Sequence, residues 1–408
     1  MTTRADCQRR DAKDPLAFAR TRFSLPEGVI YLDGNSLGAL PRATPARLAE
    51  VVTHQWGQDL IGSWNNAGWM DLPARIGARI APLIGAGADE VIAADSTSVC
   101  LYKLAAAAMA LKPDRRVVLS EPGNFPTDLY GLQGLCDAHG LELRTAPADQ
   151  IGATLTGEVG LLVLTHVHYK SGRLHDMEAL TARAHAVGAL TLWDLSHSAG
   201  AVDVDLNGAN ADFAVGCGYK YLNGGPGAPG YMMAARRHHG VMRQPLSGWM
   251  GHATPFAFDD DYRPADGMAR LLTGTPSVLA LAALEAGLKT FEGVSMAAVR
   301  RKSVALGELF IRLVEDRLPD VFALASPRDA ALRGSQVALS HQDGYPIMQA
   351  LIAAGVVGDF RAPDILRFGF TPLYLGYEDV FEAVERLATV MASGIWRAPR
   401  FAARLAVT

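Results

Sequence analysis

Between residues 115 and 218 the chain repeats one pattern: "RRVVLS" (115–120), "LELRTA" (141–146), "VGLLVLTHV" (159–167), "ALTLWD" (189–194) and "DFAVGCG" (212–218) alternate with helix-sized stretches. No other feature limits the fold as much. Segments rich in leucine and β-branched residues, separated by stretches long enough for a helix, read as β-α-β units on a mainly parallel sheet. Two of the intervening stretches, "FPTDLYGLQGLCDAHG" and "MEALTARAHAVG", are helical in character, and the second ends on a glycine suited to the position after a helix C-terminus.

A different rhythm begins after "TGTPS" (273–277). Two long amphipathic helices are expected to run to about residue 318, followed by shorter strands and a final helix near 377–393. A chain of 408 residues is long for one core, so two unequal domains are expected. The expected division is a large α/β domain over 51–290 and a smaller α+β domain over 291–408, joined by the N-terminal segment 1–50.

Composition excludes several partners. The formal charge is −4 with no charge run, which gives nucleic acid no basic surface. Neither a signal-peptide core nor an uninterrupted apolar span of membrane length is visible, so a cytoplasmic protein with no membrane partner is expected. Cys7, Cys100, Cys136 and Cys217 form no C-x-x-C pair, which argues for reduced thiols. His166 with His168, and His238 with His239, lack carboxylates or cysteines at zinc-like spacing, so no metal is expected.

The chemistry is read from strand ends. Asp194 closes "ALTLWD", at the edge where open α/β sheets place ligands, and Lys220 follows the next apolar strand. A helix cap or turn explains such an aspartate alone, and a solvated loop explains such a lysine alone. Together they match pyridoxal 5′-phosphate (PLP), whose aldehyde condenses with a lysine amine and whose ring nitrogen needs an acidic partner.

The cofactor's phosphate needs donors, and Ser96, Thr97 and Ser98 stand at the start of an alanine-rich helix where free N–H groups attract anions. An ordinary N-cap would need one of the three hydroxyls. Phe125, in a loop after a strand with Thr127 and Asp128 behind it, is either a core phenylalanine or a ring that stacks on the cofactor. In "ILRFGF", period two puts Leu366, Phe368 and Phe370 on one face and Arg367 on the other, where a guanidinium can be a surface group or a carboxylate ligand.

These residues lie in motifs that together resemble the kynureninases, PLP enzymes of fold type I. The carriers are "YLDGNSLG" (31–38), "DSTSV" (95–99), "NFPTD" (124–128), "WDLSHSAGA" (193–201), "GCGYKYLNGGPG" (216–227), "GW" with "GH" (248–252), "TGTPS" and "LRFGFTPLY" (366–374). The resemblance implies Lys220 as the Schiff-base lysine, Asp194 as the ring-nitrogen partner and Phe125 as the stacking ring. Thr97, Ser98 and Tyr219 would hold the phosphate, with Thr127, Asp128 and His197 close to the ring. Trp249 and Thr275 would reach the phosphate from the second subunit of a homodimer. Ser36, Trp64 and Arg367 would face the substrate, with Arg367 on its α-carboxylate.

The implied reaction is hydrolysis of L-kynurenine to anthranilate and L-alanine in tryptophan catabolism, with Lys220 moving the Cα proton and Tyr219 serving the γ-carbonyl. Trp64, in "GSWNNAGW", implies preference for the substrate without a ring hydroxyl. A cysteine desulfurase would want a nucleophilic cysteine in the small domain, and no cysteine lies beyond residue 217. A cofactor-free scaffold would have no use for both Lys220 and Asp194.

Overall fold

A computed structural model describes residues 2–404. Its large sheet has seven strands: β1 (Val91–Ala94), β2 (Val117–Ser120), β3 (Glu142–Thr145), β4 (Val159–Thr165), β5 (Leu190–Asp194), β6 (Phe213–Cys217) and β7 (Gly230–Ala234). They lie in the order β1-β7-β6-β5-β4-β2-β3. Neighbours from β6 across to β3 are parallel, whereas β7 is antiparallel to both β6 and β1. All strands but the edge strand β3 are buried along their length.

Because β7 alone runs backwards, β1, β2, β4, β5 and β6 all deliver their carboxyl ends to one edge. The segments that follow them, beginning at Asp95, Glu121, His166, Leu195 and Gly218, therefore converge. Such convergence at the strand ends is how a doubly wound sheet builds a ligand site.

The second sheet comprises β8 (Ala323–Leu324), β9 (Gln336–Ser340), β10 (Asp359–Arg361) and β11 (Ile365–Gly369), in the antiparallel order β8-β9-β11-β10. Helices Met296–Arg317 and Gly344–Ala353 back it, and the helix Tyr377–Ser393 packs on both of them. The N-terminal segment docks here: Ile30–Tyr31 pairs in parallel with Val356–Val357, and the Gly369 N–H donates to the Leu32 carbonyl at 2.7 Å. It then returns to the large sheet, where the Gly38 N–H donates to the Tyr219 carbonyl at 2.8 Å.

Two expectations need correction. The Val278–Leu288 helix is not amphipathic, since every residue from Leu281 to Leu288 is buried. It is packed between the Thr44–Glu50 and Leu72–Ile80 helices, and its one buried charge, Glu285, meets Arg75 at 3.0 Å and Arg47 at 3.2 Å. The second correction is that β1 and β7 join the five strands read from the sequence. Both are short, and β7 follows the Gly/Pro-rich turn after Lys220, in which Gly225 and Gly227 take φ of +80° and +75°.

Candidate active site

Asp194 ends β5 and is almost fully buried. One of its oxygens, Oδ1, accepts from the Ser196 backbone N–H at 2.8 Å and the Ser196 hydroxyl at 2.6 Å. The turn reading of this aspartate therefore accounts for one oxygen. Asp128, buried on the helix Pro126–His139, shares a hydrogen bond with the Asp194 carboxyl, and burial and the Asp194 charge hold Asp128 well above the carboxylate range. Two buried carboxyl groups facing one another keep a proton between them unless a cation arrives.

Lys220 supplies the nearest amine. Its Nζ lies 3.3 Å from His197 Nε2, 5.8 Å from the Phe125 ring centre and 5.7 Å from that of Tyr219. His197 is buried with Nδ1 unpartnered among the described residues; burial and the Lys220 charge hold its pKa well below the usual imidazole range, so it is neutral. Burial, with Cys217 and Asp194 nearby, pushes the Tyr219 phenol above its ordinary value, so its hydroxyl keeps its proton.

The helix Thr97–Ala110 starts at the same edge. Ser96 is its N-cap, accepting from the Val99 N–H at 3.4 Å, so the capping explanation accounts for one hydroxyl of the three. Thr97 Oγ1 lies 3.5 Å from the Gly216 carbonyl, and Ser98 is exposed. A cleft of about 480 Å³ opens onto this terminus, lined by Ser96, Thr97, Tyr219, Gly227, Pro229 and Ser277 among others. Gly230 is needed beside it, because a Cβ there would lie 2.9 Å from the Thr97 nitrogen.

Phe125 is partly exposed, with its ring edge-on to Tyr169 at 5.3 Å. Asn124 fixes this loop, its side-chain oxygen accepting from the Phe125 N–H at 2.8 Å and from the Thr165 hydroxyl. Thr127 is half-buried in the first helical turn.

A second cluster forms where the N-terminal segment crosses the small sheet. Arg367 is fully buried, so its face of β11 is not a surface: it is covered by Tyr169 and by residues 35 and 36. Arg367 Nε donates to Asp359 Oδ1 at 2.8 Å and Nη2 to Asp359 Oδ2, with Ser36 Oγ also at 2.8 Å from Nη2. Ser36 in turn donates to Asp359 at 2.6 Å, and Arg361 donates to the same carboxylate at 2.8 Å.

Trp64, Trp249 and Thr275 are not brought to Lys220. Among the described residues no hydrogen bond or ring contact joins them to Lys220, Asp194 or Phe125 within one chain. Trp64 lies edge-on to Trp69 at 6.0 Å and to Trp249 at 6.3 Å. Thr275 lines a cavity of about 170 Å³ that adjoins the cleft at Thr97, sharing Asp95, Pro229 and Ser277 with it. Asn124, Thr165, Tyr169, Asp33, Asp359 and Arg361 are the parts of the site the sequence reading missed. Asp359 and Arg361 did leave a signal, two charges spaced by two in a short strand next to the cis Ala362–Pro363 bond.

The buried carboxyl groups set a pH dependence. Asp33 is pushed up to about 8, first by burial and then by the Asp359 charge. A carboxyl whose pKa is higher folded than unfolded stabilises the fold fully below its unfolded value of about 4, and loses that contribution as pH rises through the folded value. As pH rises from about 7 to above 8, beyond the range in which the buried neutral His166, His168 and His197 act in the opposite sense, Asp33 and Asp128 therefore make the ligand-free protein less stable. Glu121 does not oppose this: despite burial, His175 and Arg173 hold it down to about 2, so its contribution is complete before that window opens. Calorimetry of the ligand-free protein at two pH values spanning the window should show Tm falling by several degrees. Asp33→Asn and Asp128→Asn should each remove part of the fall, and a flat or rising Tm in the native chain contradicts this account.

Comparison with known proteins bears on this geometry. Residues 299–387 match the kynureninase C-terminal domain family. The chain is 51% identical over 417 residues to a kynureninase of Burkholderia mallei, and 49% identical over 416 residues to one of Pseudomonas fluorescens, covering all of each chain in both cases. Among solved structures, a cysteine desulfurase from Thermococcus onnurineus superposes with a TM-score of 0.75 at 19% identity, over 93% of this chain and 98% of that one. A lysine-to-alanine variant of the enzyme C-DES, with glycine covalently linked to its PLP cofactor, superposes with a TM-score of 0.77 at 18% identity, over 90% and 98% of the two chains. The large sheet with its flanking helices is thus the PLP fold type I architecture.

Proposed function

The chain belongs to the kynureninase family, and from that premise we propose that it hydrolyses L-kynurenine to anthranilate and L-alanine, as a cytoplasmic homodimer. One observation carries the reading: a buried lysine, an acid pair and an open helix N-terminus meet at one sheet edge, in a chain matched end to end by kynureninases.

PLP, the cofactor of this family, fits the residues present. The buried Asp128–Asp194 pair would be neutralised by a protonated ring nitrogen, the cleft at Ser96 and Thr97 offers a helix N-terminus to a phosphate, and Lys220 supplies an amine 5.8 Å and 5.7 Å from the ring centres of Phe125 and Tyr219. Bound there, PLP supplies an electron sink for the bonds at Cα and for Cβ–Cγ cleavage. Lys220, Asp194, Phe125, Thr97, Ser98 and Tyr219 are the residues we propose hold it, with Thr127, Asp128 and His197 around the ring.

The chain's own groups then divide the work. Lys220 Nζ takes the proton from the substrate's Cα and returns one later. The protonated Tyr219 hydroxyl is the acid and base at the γ-carbonyl, where water adds and anthranilate leaves. Neutral His197 beside Lys220 accepts or donates a hydrogen bond without adding charge. Arg367 and Ser36 orient the α-carboxylate.

The homodimer rests on two supports: Trp249 packs against Trp64 and Phe256 rather than against Lys220 within one chain, and exposed aromatic rings adjoin it. Phe256 and Phe258 are exposed there and edge-on to one another at 6.2 Å, with Phe256 edge-on to Trp249 at 5.7 Å. Exposed apolar residues in such a cluster mark an interface. Sedimentation equilibrium should give twice the 43.5 kDa chain mass, and an active species at the single-chain mass refutes the dimer.

Trp64, edge-on to Trp249 and away from Lys220 in its own chain, sets the proposed substrate preference from across the dimer interface. An indole against the aniline ring adds roughly 0.5–1.5 kcal/mol beyond burial, while an added hydroxyl buried without a partner costs about 1–3 kcal/mol. L-kynurenine should therefore be preferred over 3-hydroxy-L-kynurenine by about tenfold or more in kcat/KM, with the gap narrowed in Trp64→His. Equal kcat/KM values in the native enzyme defeat this assignment.

A further inference from the structure

Lys103 is a buried charge that the proposed reaction does not use. It lies on the helix Thr97–Ala110, is fully buried, and turns its amine back toward the helix start, where Nζ donates to Asp95 Oδ2 at 2.6 Å and to the Leu271 carbonyl at 2.8 Å. Helical side chains lean toward the N-terminus, which lets a lysine eight positions on reach the residue before the cap. An ammonium taken out of water needs a counter-charge, and Asp95 is the one ion-pair partner Lys103 has among the described residues.

Asp95 borders the cleft proposed for the cofactor's phosphate. It follows β1 with a left-handed φ of +51°, its carbonyl accepts from the Gly230 N–H at 2.9 Å, and Ser96, the N-cap, comes next. Aspartate is one of the few residues that tolerate that backbone region. Its side chain is 29% exposed, and it lines both the cleft at Thr97 and the adjoining cavity at Thr275.

The charges at this corner set two demands against each other. A helix N-terminus attracts an anion, whereas a carboxylate one residue before the cap repels it. An acid here with nothing bound suits the helix dipole and needs no lysine. A phosphate at the same terminus does need one, because two anions then share the corner and a fixed cation relieves their repulsion.

We propose that Lys103 is a positioning residue for the cofactor phosphate, acting through Asp95, whose charge it neutralises beside the helix N-terminus. This assignment rests on the reading of the cleft at Thr97 as the phosphate's place. The rival role for the pair is structural, as a clamp that ties the helix start to Leu271 and so to the segment bearing Thr275.

The test titrates the full chain, freed of cofactor, with PLP and with pyridoxal, which lacks the phosphate, following the absorbance of the bound cofactor. Lys103→Met should weaken PLP binding about tenfold or more and leave pyridoxal binding within about twofold. Adding Asp95→Asn to Lys103→Met should bring PLP affinity back to within about threefold of native, because the opposing charge leaves with its partner, whereas a clamp broken at both ends would not recover. Asp95→Asn alone keeps Lys103, should bind PLP at least as tightly as the native chain, and decides the matter if Lys103→Met does not fold. Equal losses for PLP and pyridoxal, a double variant no better than Lys103→Met, or weaker PLP binding in Asp95→Asn overturns the proposal. A protein that shows these shifts yet releases no anthranilate refutes the proposed reaction and leaves this assignment standing.

Discussion

Lys220→Ala should lower anthranilate release from L-kynurenine by at least about a thousandfold while the protein stays folded. A positioned acid/base contributes about 10²–10⁴ to a rate, and this side chain has two duties, holding the cofactor and moving the Cα proton. No neighbour can take its place. The closest nitrogen is His197 Nε2, which burial keeps neutral and whose other nitrogen is buried without a partner. The next lysines, Lys103 and Lys170, are committed elsewhere: Lys103 pairs with Asp95 at 2.6 Å and Lys170 donates to the Ala362 carbonyl at 3.1 Å. Borohydride reduction of the native holoenzyme with peptide mapping should label Lys220. Residual activity within tenfold of native, or a label on Lys103 or Lys170, contradicts the assignment.

Asp194→Asn should lower kcat/KM by about a hundredfold or more without lowering the stability of the ligand-free protein at pH 8. An amide cannot hold a protonated ring nitrogen, and loss of one preorganised electrostatic partner costs about 10²–10³ in rate. The stability half of the prediction has a separate cause. Asp128 is forced up by burial and by the charge of Asp194, so neutralising Asp194 removes a repulsion inside the fold. An ordinary structural aspartate would behave oppositely, since the amide oxygen is a weaker acceptor than the carboxylate for the Ser196 N–H and hydroxyl, and Tm would fall. Kinetics and calorimetry on the same variant separate the two cases, and near-native activity with a lower Tm would contradict the role given to Asp194.

How far these residues were legible in the sequence follows from local pattern. Strands β2 to β6 announce themselves because each is an apolar run bounded by helix-sized stretches, and Asp194 and Lys220 are placed by their distance from those runs. β7 escaped because "GYMMA" follows a turn rich in glycine and proline and carries no β-branched residue. The amphipathic reading of Val278–Leu288 failed for a tertiary reason: alanine and leucine on every side suit a helix packed between two others, and only the packing reveals that. The commitment of Arg367 was likewise invisible, since the register that sets Asp359 opposite Arg367 joins residues on two strands, and Ser36 reaches them across more than 300 positions. Period-two spacing predicts a face of a strand, not what covers it.

Hydrolytic cleavage between Cβ and Cγ of L-kynurenine is the reaction proposed for the site at Lys220 and Asp194. It is tested most directly by incubating the purified, PLP-loaded protein with L-kynurenine and quantifying both products, anthranilate by its fluorescence and L-alanine by amino-acid analysis. The two should accumulate in equal amounts from the first turnovers, and Lys220→Ala should produce neither. L-kynurenine left intact by a fully loaded holoenzyme, or consumed without equimolar anthranilate and L-alanine, would contradict it.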